Sequence, residues 1–271
     1  MGIFDGIYFV SDLDGTLLDN KDYKISEKNI AAIKYFMSEG GKFGFATGRI
    51  ISELKEFDDV VGTNAPSITC NGSMVYDFSN KKSTLVGEMG EDIFPFFDYI
   101  EKAYPSTMID ITTADTIYYY RPNSSLLKHK SISSAAFEEM KHFSEAPHPW
   151  LKLAIWDEPK ETKFLAENVD LSLMPKEYKF MYSFEYCCEI SLQSADKGNA
   201  LLRAKELLPD IKKVVAIGDN ENDITMLKNA DISMVPSNAV DAAKLSADFV
   251  LECDCNHSAV AFAIEKLKNM L

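Results

Sequence analysis

Asp12 and Asp14 stand two residues apart, and Gly15-Thr16 follow directly. At an extended chain end, such a pair can turn both carboxylates to one side. Carboxylates that close repel each other unless a cation lies beside them. Gly15 lets the backbone turn tightly and approach a bound group. An acidic surface turn is the plainer alternative. It is disfavoured by the apolar run Ile7-Tyr8-Phe9-Val10 just upstream, which has the character of a buried strand. Ala46-Thr47-Gly48-Arg49 form a second group. The Thr47 hydroxyl and the N–H groups of Gly48 and Arg49, near a helix start, suit an anion, and they equally suit an ordinary capped loop. Lys197 opens a predicted helix and matters only if it reaches the aspartates. Gly218-Asp219-Asn220-Glu221-Asn222-Asp223 follows another apolar run, Val214-Val215-Ala216-Ile217. Carboxylates and amides are hard oxygen groups suited to magnesium. Asp223 alone would also suit a helix N-terminus.

The combination says more than its parts. Acids, a hydroxyl and an ammonium group arriving from neighbouring strand ends make a metal–phosphate site. That requires the strands to be neighbours, and the element pattern supports it. Residues 7–11, 42–47 and 67–70 read as strands, with helices after the N-cap Ser26 and over 51–61. Asn71-Gly72 then signals a hairpin into 73–77. The same rhythm returns late in the chain. Helices are expected over 197–208, 222–229 and 257–271, and strands over 213–217, 232–235 and 249–251. Strands alternating with helices imply a parallel sheet covered on both faces, whose ligands bind at the carboxyl ends of the strands.

The middle of the chain differs. Strands pair at 108–112 with 116–120 and at 180–186 with 189–192, with helices expected near 91–103, 133–143 and 159–169. The expected architecture is therefore an α/β core of the Rossmann-like type, residues 1–83 and 190–271, split by an inserted α+β module at 84–189.

Composition narrows the function classes. A net charge of −14 repels nucleic acid and anionic lipid, so neither is an expected partner. An anionic substrate would need local positive charge, and a metal ion supplies it. No apolar run approaches the roughly 20 residues of a membrane helix. The N-terminal segment lacks a basic region and a cleavage site, so a cytoplasmic protein without a signal peptide is expected. Five cysteines without regular spacing read as free thiols. Cys253-x-Cys255 lacks a second soft pair, and the four histidines form no ligand pair.

Asp12-Leu13-Asp14-Gly15-Thr16, Thr47-Gly48-Arg49, Lys197 and Gly218-Asp219-x-x-Asn222-Asp223 resemble, in chain order, the four motifs of the haloacid dehalogenase superfamily. The long insertion, and Cys70-Asn71-Gly72 with its hairpin, are similar to the Cof-type subfamily with its large cap. The resemblance implies a magnesium-dependent phosphatase acting on a small phosphate ester, such as a sugar phosphate, under a cap that closes over it. By the same resemblance Asp12 is the nucleophile and Asp14 the general acid and base. Asp12 and Asp219 bind magnesium by side chains and Asp14 by its carbonyl. Thr47 and Lys197 hold the phosphoryl oxygens. Asn222 contacts phosphate, Asn71 lines the floor, and Asp223 acts from an outer position or orients Lys197. The family often carries a glycine-valine pair before its last helix, where this chain has His257-Ser258-Ala259-Val260. A phosphomutase on the same scaffold and a non-catalytic phospho-acceptor are the alternatives. Monomer and homodimer both stay open. Tyr118-Tyr119-Tyr120-Arg121 is expected to pack rather than to touch ligand.

Overall fold

A computed structural model describes residues 2–271. In chain order the first elements are β1 (Ile7–Ser11), α1 (Glu27–Ser38), β2 (Lys42–Phe45), α2 (Ile51–Val61), β3 (Ser67–Thr69), β4 (Met74–Asp77) and β5 (Lys82–Leu85). The inserted segment contributes α3 (Phe94–Ala103), β6 (Met108–Thr112), β7 (Thr116–Tyr120), α4 (Ser125–Ile132), β8 (Ala136–Glu139), β9 (Lys152–Trp156), α5 (Pro159–Asn168), β10 (Tyr178–Phe184) and β11 (Cys187–Leu192). The chain ends with α6 (Lys197–Glu206), β12 (Lys213–Ile217), α7 (Ile224–Asn229), β13 (Ile232–Val235), α8 (Asp241–Lys244), β14 (Phe249–Val250) and α9 (Ala259–Lys268).

Two compact units result. Of the described residues, one holds 2–49, 54–86 and 195–271, and the other 50–53 and 87–194. The expected cuts after 83 and 189 fall inside β5 and β11. Both strands are paired along their lengths, β5 with β4 and β11 with β9 and β10, so the module ends beyond them.

The first unit is built on a five-stranded sheet in the order β14-β13-β12-β1-β2, parallel throughout. Every residue of β1 is buried, which is why its sequence runs apolar without alternation. Side chains still alternate between faces. Ile7 and Phe9 join a core with Ile33 and Phe36 of α1 and Val260 and Ile264 of α9. Tyr8 and Val10 join the opposite core with Leu201 of α6 and Leu227 of α7. The Ser26 hydroxyl caps α1 by accepting from the Asn29 N–H at 3.2 Å, a contact worth about 1 kcal/mol. β3, β4 and β5 form a separate antiparallel sheet, joined to the end of β2 by the parallel bridge Ala46–Ile68. Ser258 takes φ +66 at the start of α9. That is the left-handed conformation glycine adopts without strain.

The second unit is a six-stranded sheet in the order β10-β11-β9-β6-β7-β8. One face packs on α3 and α5 through Phe96, Phe97, Ile100 and Leu165. The helix expected at 133–143 is not there. Ser-Ala-Ala-Phe-Glu-Glu-Met is helix-forming locally, yet β8 runs through it, parallel to β7, and the helix is the preceding α4. A parallel pair needs a crossover, and α4 supplies it, so sheet pairing overrides propensity. In the tyrosine run, Tyr119 is buried and the Tyr120 hydroxyl donates to Glu101 at 2.9 Å, so these rings pack within the unit. Among the described residues, no helix is long and apolar enough to cross a membrane.

Candidate active site

The site lies at the carboxyl end of the parallel sheet and is built entirely from the first unit. The Asp12 N–H donates to the Ile217 carbonyl at 2.9 Å, which extends the β1–β12 ladder one step past β1. This step fixes the Asp12 backbone between two strand ends. Asp14 and Gly15 then form a type II turn, with φ/ψ of −74/117 and 83/0. Such a turn demands a positive φ at its third residue, and Gly15 supplies it. A Cβ there would also lie 2.5 Å from Asp219 Oδ2. The turn is therefore packed directly on the fourth motif. Thr16 Oγ1 donates to Asp219 Oδ1 at 2.7 Å and ties the two loops together.

Lys197 is the first residue of α6. Its neighbour Asp196 caps that helix by accepting from the N–H groups of Gly198 and Asn199, at 2.8 and 2.9 Å. The Lys197 side chain is fully buried, and Nζ donates to Asp12 Oδ1 and to Asp223 Oδ1, each at 2.6 Å. The other carboxylate oxygen of Asp223, Oδ2, accepts from the N–H groups of Asp219 and Asn220 at 2.9 and 3.0 Å. Asp223 thus organises its own loop and orients the lysine. Gly218 is needed beside it, because a Cβ there would lie 2.4 Å from the Asp223 carboxyl carbon.

Burial pushes the Asp12 carboxyl well above its ordinary range, and Asp223 and Asp219 add to that against the pull of Lys197. Asp219 is likewise raised by burial, with Asp223 adding and Thr16 opposing. Burial disfavours the Lys197 charge, yet Asp12 and Asp223 hold its ammonium above the usual lysine value. Oxygens of Asp12, Asp219 and Asp223 lie within 4.8 Å of one another. Three carboxylates around one ammonium group leave uncompensated negative charge, and a hard divalent cation fits such a donor set.

Asp12 and Asp14 take different partners. Asp12 is buried on Lys197, whereas the Asp14 carboxylate is 46% exposed and paired with Arg49. Arg49 Nε and Nη2 donate to it at 3.0 and 2.7 Å. Arg49, expected to add to anion binding, is held by Asp14, and its N–H is turned to Thr47 Oγ1 at 3.2 Å. Thr47 is buried, and its carbonyl accepts from the Asn71 N–H at 3.0 Å. Asn71 has φ +53 and accepts from Asn222 Nδ2 at 3.0 Å, while its side chain packs against Gly48. Thr47, Gly48, Asn71 and Asn222 are therefore knitted together as one floor. Sequence reasoning gave no role to Thr16 or to Asn238, whose Nδ2 donates to the Gly15 carbonyl at 2.8 Å. The signal was present: Asn238 follows β13, another buried strand, at the same end of the sheet.

The sequence model of haloacid dehalogenase-like hydrolases matches residues 9–264. The 5-amino-6-(5-phospho-D-ribitylamino)uracil phosphatase YcsE of Bacillus subtilis (strain 168) is 26% identical over 242 residues, covering 89% of this chain and 88% of that protein. The pyridoxal phosphate phosphatase YbhA of Escherichia coli (strain K12) is 23% identical over 269 residues, covering 94% and 97%. Among solved structures, TM0651 from Thermotoga maritima matches with a TM-score of 0.83 at 27% identity and covers 96% of each chain.

Proposed function

The chain belongs to the haloacid dehalogenase-like hydrolases, of the Cof type, and is a phosphoric monoester hydrolase; we propose that it dephosphorylates a small sugar phosphate through an aspartyl-phosphate on Asp12. The observation that carries this reading is the convergence of Asp12, Lys197, Asp219 and Asp223 at one strand end. The relative that acts on a phosphorylated ribityl chain supports a sugar-like substrate. The five free cysteines support a reducing, cytoplasmic setting.

Asp12 and Asp219 would hold a magnesium ion, with Asp14 contributing its carbonyl and Asp223 acting from behind. Once bound, magnesium supplies positive charge that an acidic chain otherwise lacks near the phosphoryl oxygens. The Asp12 carboxylate attacks phosphorus, forming an acyl–phosphate bond as the ester P–O bond breaks. Asp14 gives the departing oxygen its proton, then takes one from the water that attacks the same phosphorus. Inorganic phosphate leaves and Asp12 is regenerated. The Lys197 ammonium, 2.6 Å from Asp12 Oδ1, stands where charge builds on the transferring group. Thr47 adds its hydroxyl, and the floor of Gly48, Asn71 and Asn222 shapes the phosphate cradle. Arg49 holds Asp14 until the leaving group arrives. A panel of phosphorylated metabolites, with released phosphate as the readout, tests this reading. Turnover of sugar phosphates above the rest supports it, and no release from any ester with magnesium present overturns it.

A further inference from the structure

Beyond the four motifs, the loop after β13 reaches the nucleophile turn. The Ser237 N–H donates to the Cys253 carbonyl at 3.0 Å, and the Val240 N–H donates to the Asp219 carbonyl at 2.9 Å. Between these anchors stands Asn238. Its Oδ1 accepts from the Cys255 N–H at 2.9 Å, and its Nδ2 donates to the Gly15 carbonyl at 2.8 Å. The two bonds use both ends of the amide, so its orientation is defined. The type II turn at Asp14-Gly15 is then gripped on two sides, by Asp219 through Thr16 and by Asn238 through Gly15.

We propose that Asn238 is a positioning residue that holds the Asp14-Gly15 turn, and with it the general acid Asp14, in register with the nucleophile. The inference rests on the phosphatase reading above. A turn that slackens leaves Asp12 in place, because Asp12 is fixed by β12 and Lys197. It moves Asp14, whose one-residue link to Gly15 transmits the shift. The defect must therefore appear where proton donation matters. An alkoxide leaves only with a proton, whereas p-nitrophenolate leaves without one.

The side chain of Asn238 is exposed, so its removal spares the core. In Asn238→Ala, kcat/KM for an alkyl ester such as glycerol 2-phosphate is expected to fall about tenfold more than for p-nitrophenyl phosphate. Asn238→Asp keeps the acceptor toward Cys255 and loses the donor toward Gly15, and is expected to show the same selective loss. Equal losses on both esters, or wild-type behaviour of the aspartate variant, overturn the proposal. Amide hydrogen exchange supplies a readout that needs no turnover. The amides of residues 15–18 are expected to exchange faster in Asn238→Ala, with the melting temperature little changed. Unchanged exchange overturns the clamp. A wild-type protein that cleaves neither ester sinks the phosphatase reading, and the exchange result still decides the clamp.

Discussion

Lys197 in the first unit is fully buried and Lys152 in the second half-buried, each beside acids, yet the two clusters balance their charge in opposite ways. Around Lys197 stand Asp12, Asp223 and Asp219, three acids to one base. In the second unit Lys152 Nζ pairs with Glu189 Oε1 at 2.7 Å. Burial works against both charges, but each partner keeps the other ionised, so Lys152 is raised and Glu189 lowered. The neighbouring Asp110 is pushed up to about 7, mainly by burial. His129 is pulled down to about 3, by burial and then by Lys152. His129 stacks on Trp156 at 3.8 Å and sets Nδ1 3.3 Å from Asp110 Oδ2, which also accepts from Trp156 Nε1 at 2.5 Å. This second cluster approaches neutrality by itself. The first holds three acids to one base, burial favours the protonated forms of Asp12 and Asp219, and a divalent cation would relieve that strain where the second cluster has no need of one.

Removing the proposed nucleophile breaks the comparison most completely. Asp12→Asn is expected to lower phosphate release by about 10⁴-fold or more, the scale for losing a catalytic nucleophile. Substantial residual turnover would take Asp12 out of that role. Removing the counter-charge comes next: chelation of divalent metal is expected to silence the protein and added magnesium to restore it. Chelator-resistant activity would mean that the carboxylate surplus has another purpose.

Lys197→Ala and Lys152→Met then separate the two lysines. The first is expected to cost at least about a hundredfold in kcat, the scale of one lost transition-state contact. The second leaves Glu189 without its counter-charge and is expected to cost roughly 2 kcal/mol of stability, read by urea denaturation, with kcat changed only a few-fold. Interchanged outcomes would refute the assignment.

The second cluster also sets a pH dependence, which in the intact protein is small. Asp110 moves from its ordinary 3.8 to about 7, so the folded state binds an extra proton between those values. Its contribution is fully present below the lower value and is lost as pH rises through about 7. His129 moves from 6.5 to about 3, and its contribution is lost as pH falls through that range. Across the shared window the two slopes cancel, so wild-type stability is expected to be nearly flat there. His129→Phe leaves Asp110 uncompensated, and stability should then decline between pH 4 and 7 by roughly 4 kcal/mol at most. Both tryptophans, Trp150 and Trp156, lie in the second unit, so their fluorescence during denaturation reads this unit alone. A flat profile in the variant would show that Asp110 takes up no proton on folding.

The two units were also unequally legible. In the first, polar residues interrupt buried apolar strands at their carboxyl ends. That placement has few structural explanations for an acid, so Asp12 and Asp219 stood out, while Thr47 equally suited a capped loop. Lys197 was found by order along the chain, and the contact that gives it meaning spans 185 positions. In the second unit no comparable punctuation exists. Asp110 sits inside a strand, His129 on a helix, and β8 hides in a helix-forming stretch. Their meaning comes from neighbours across the sheet, and composition does not carry it.

By itself the sequence determined the donor types, the alternation of elements and therefore the end of the sheet where the chemistry gathers. Hydrophobic period and turn chemistry are local, and they suffice for that. Only the tertiary structure decided that Asp12 meets Lys197 while Asp14 meets Arg49, and that Asn238 reaches Gly15 from 223 positions away. Side-chain direction at a strand end is chosen by partners on other strands, whose identity depends on sheet order and not on sequence distance.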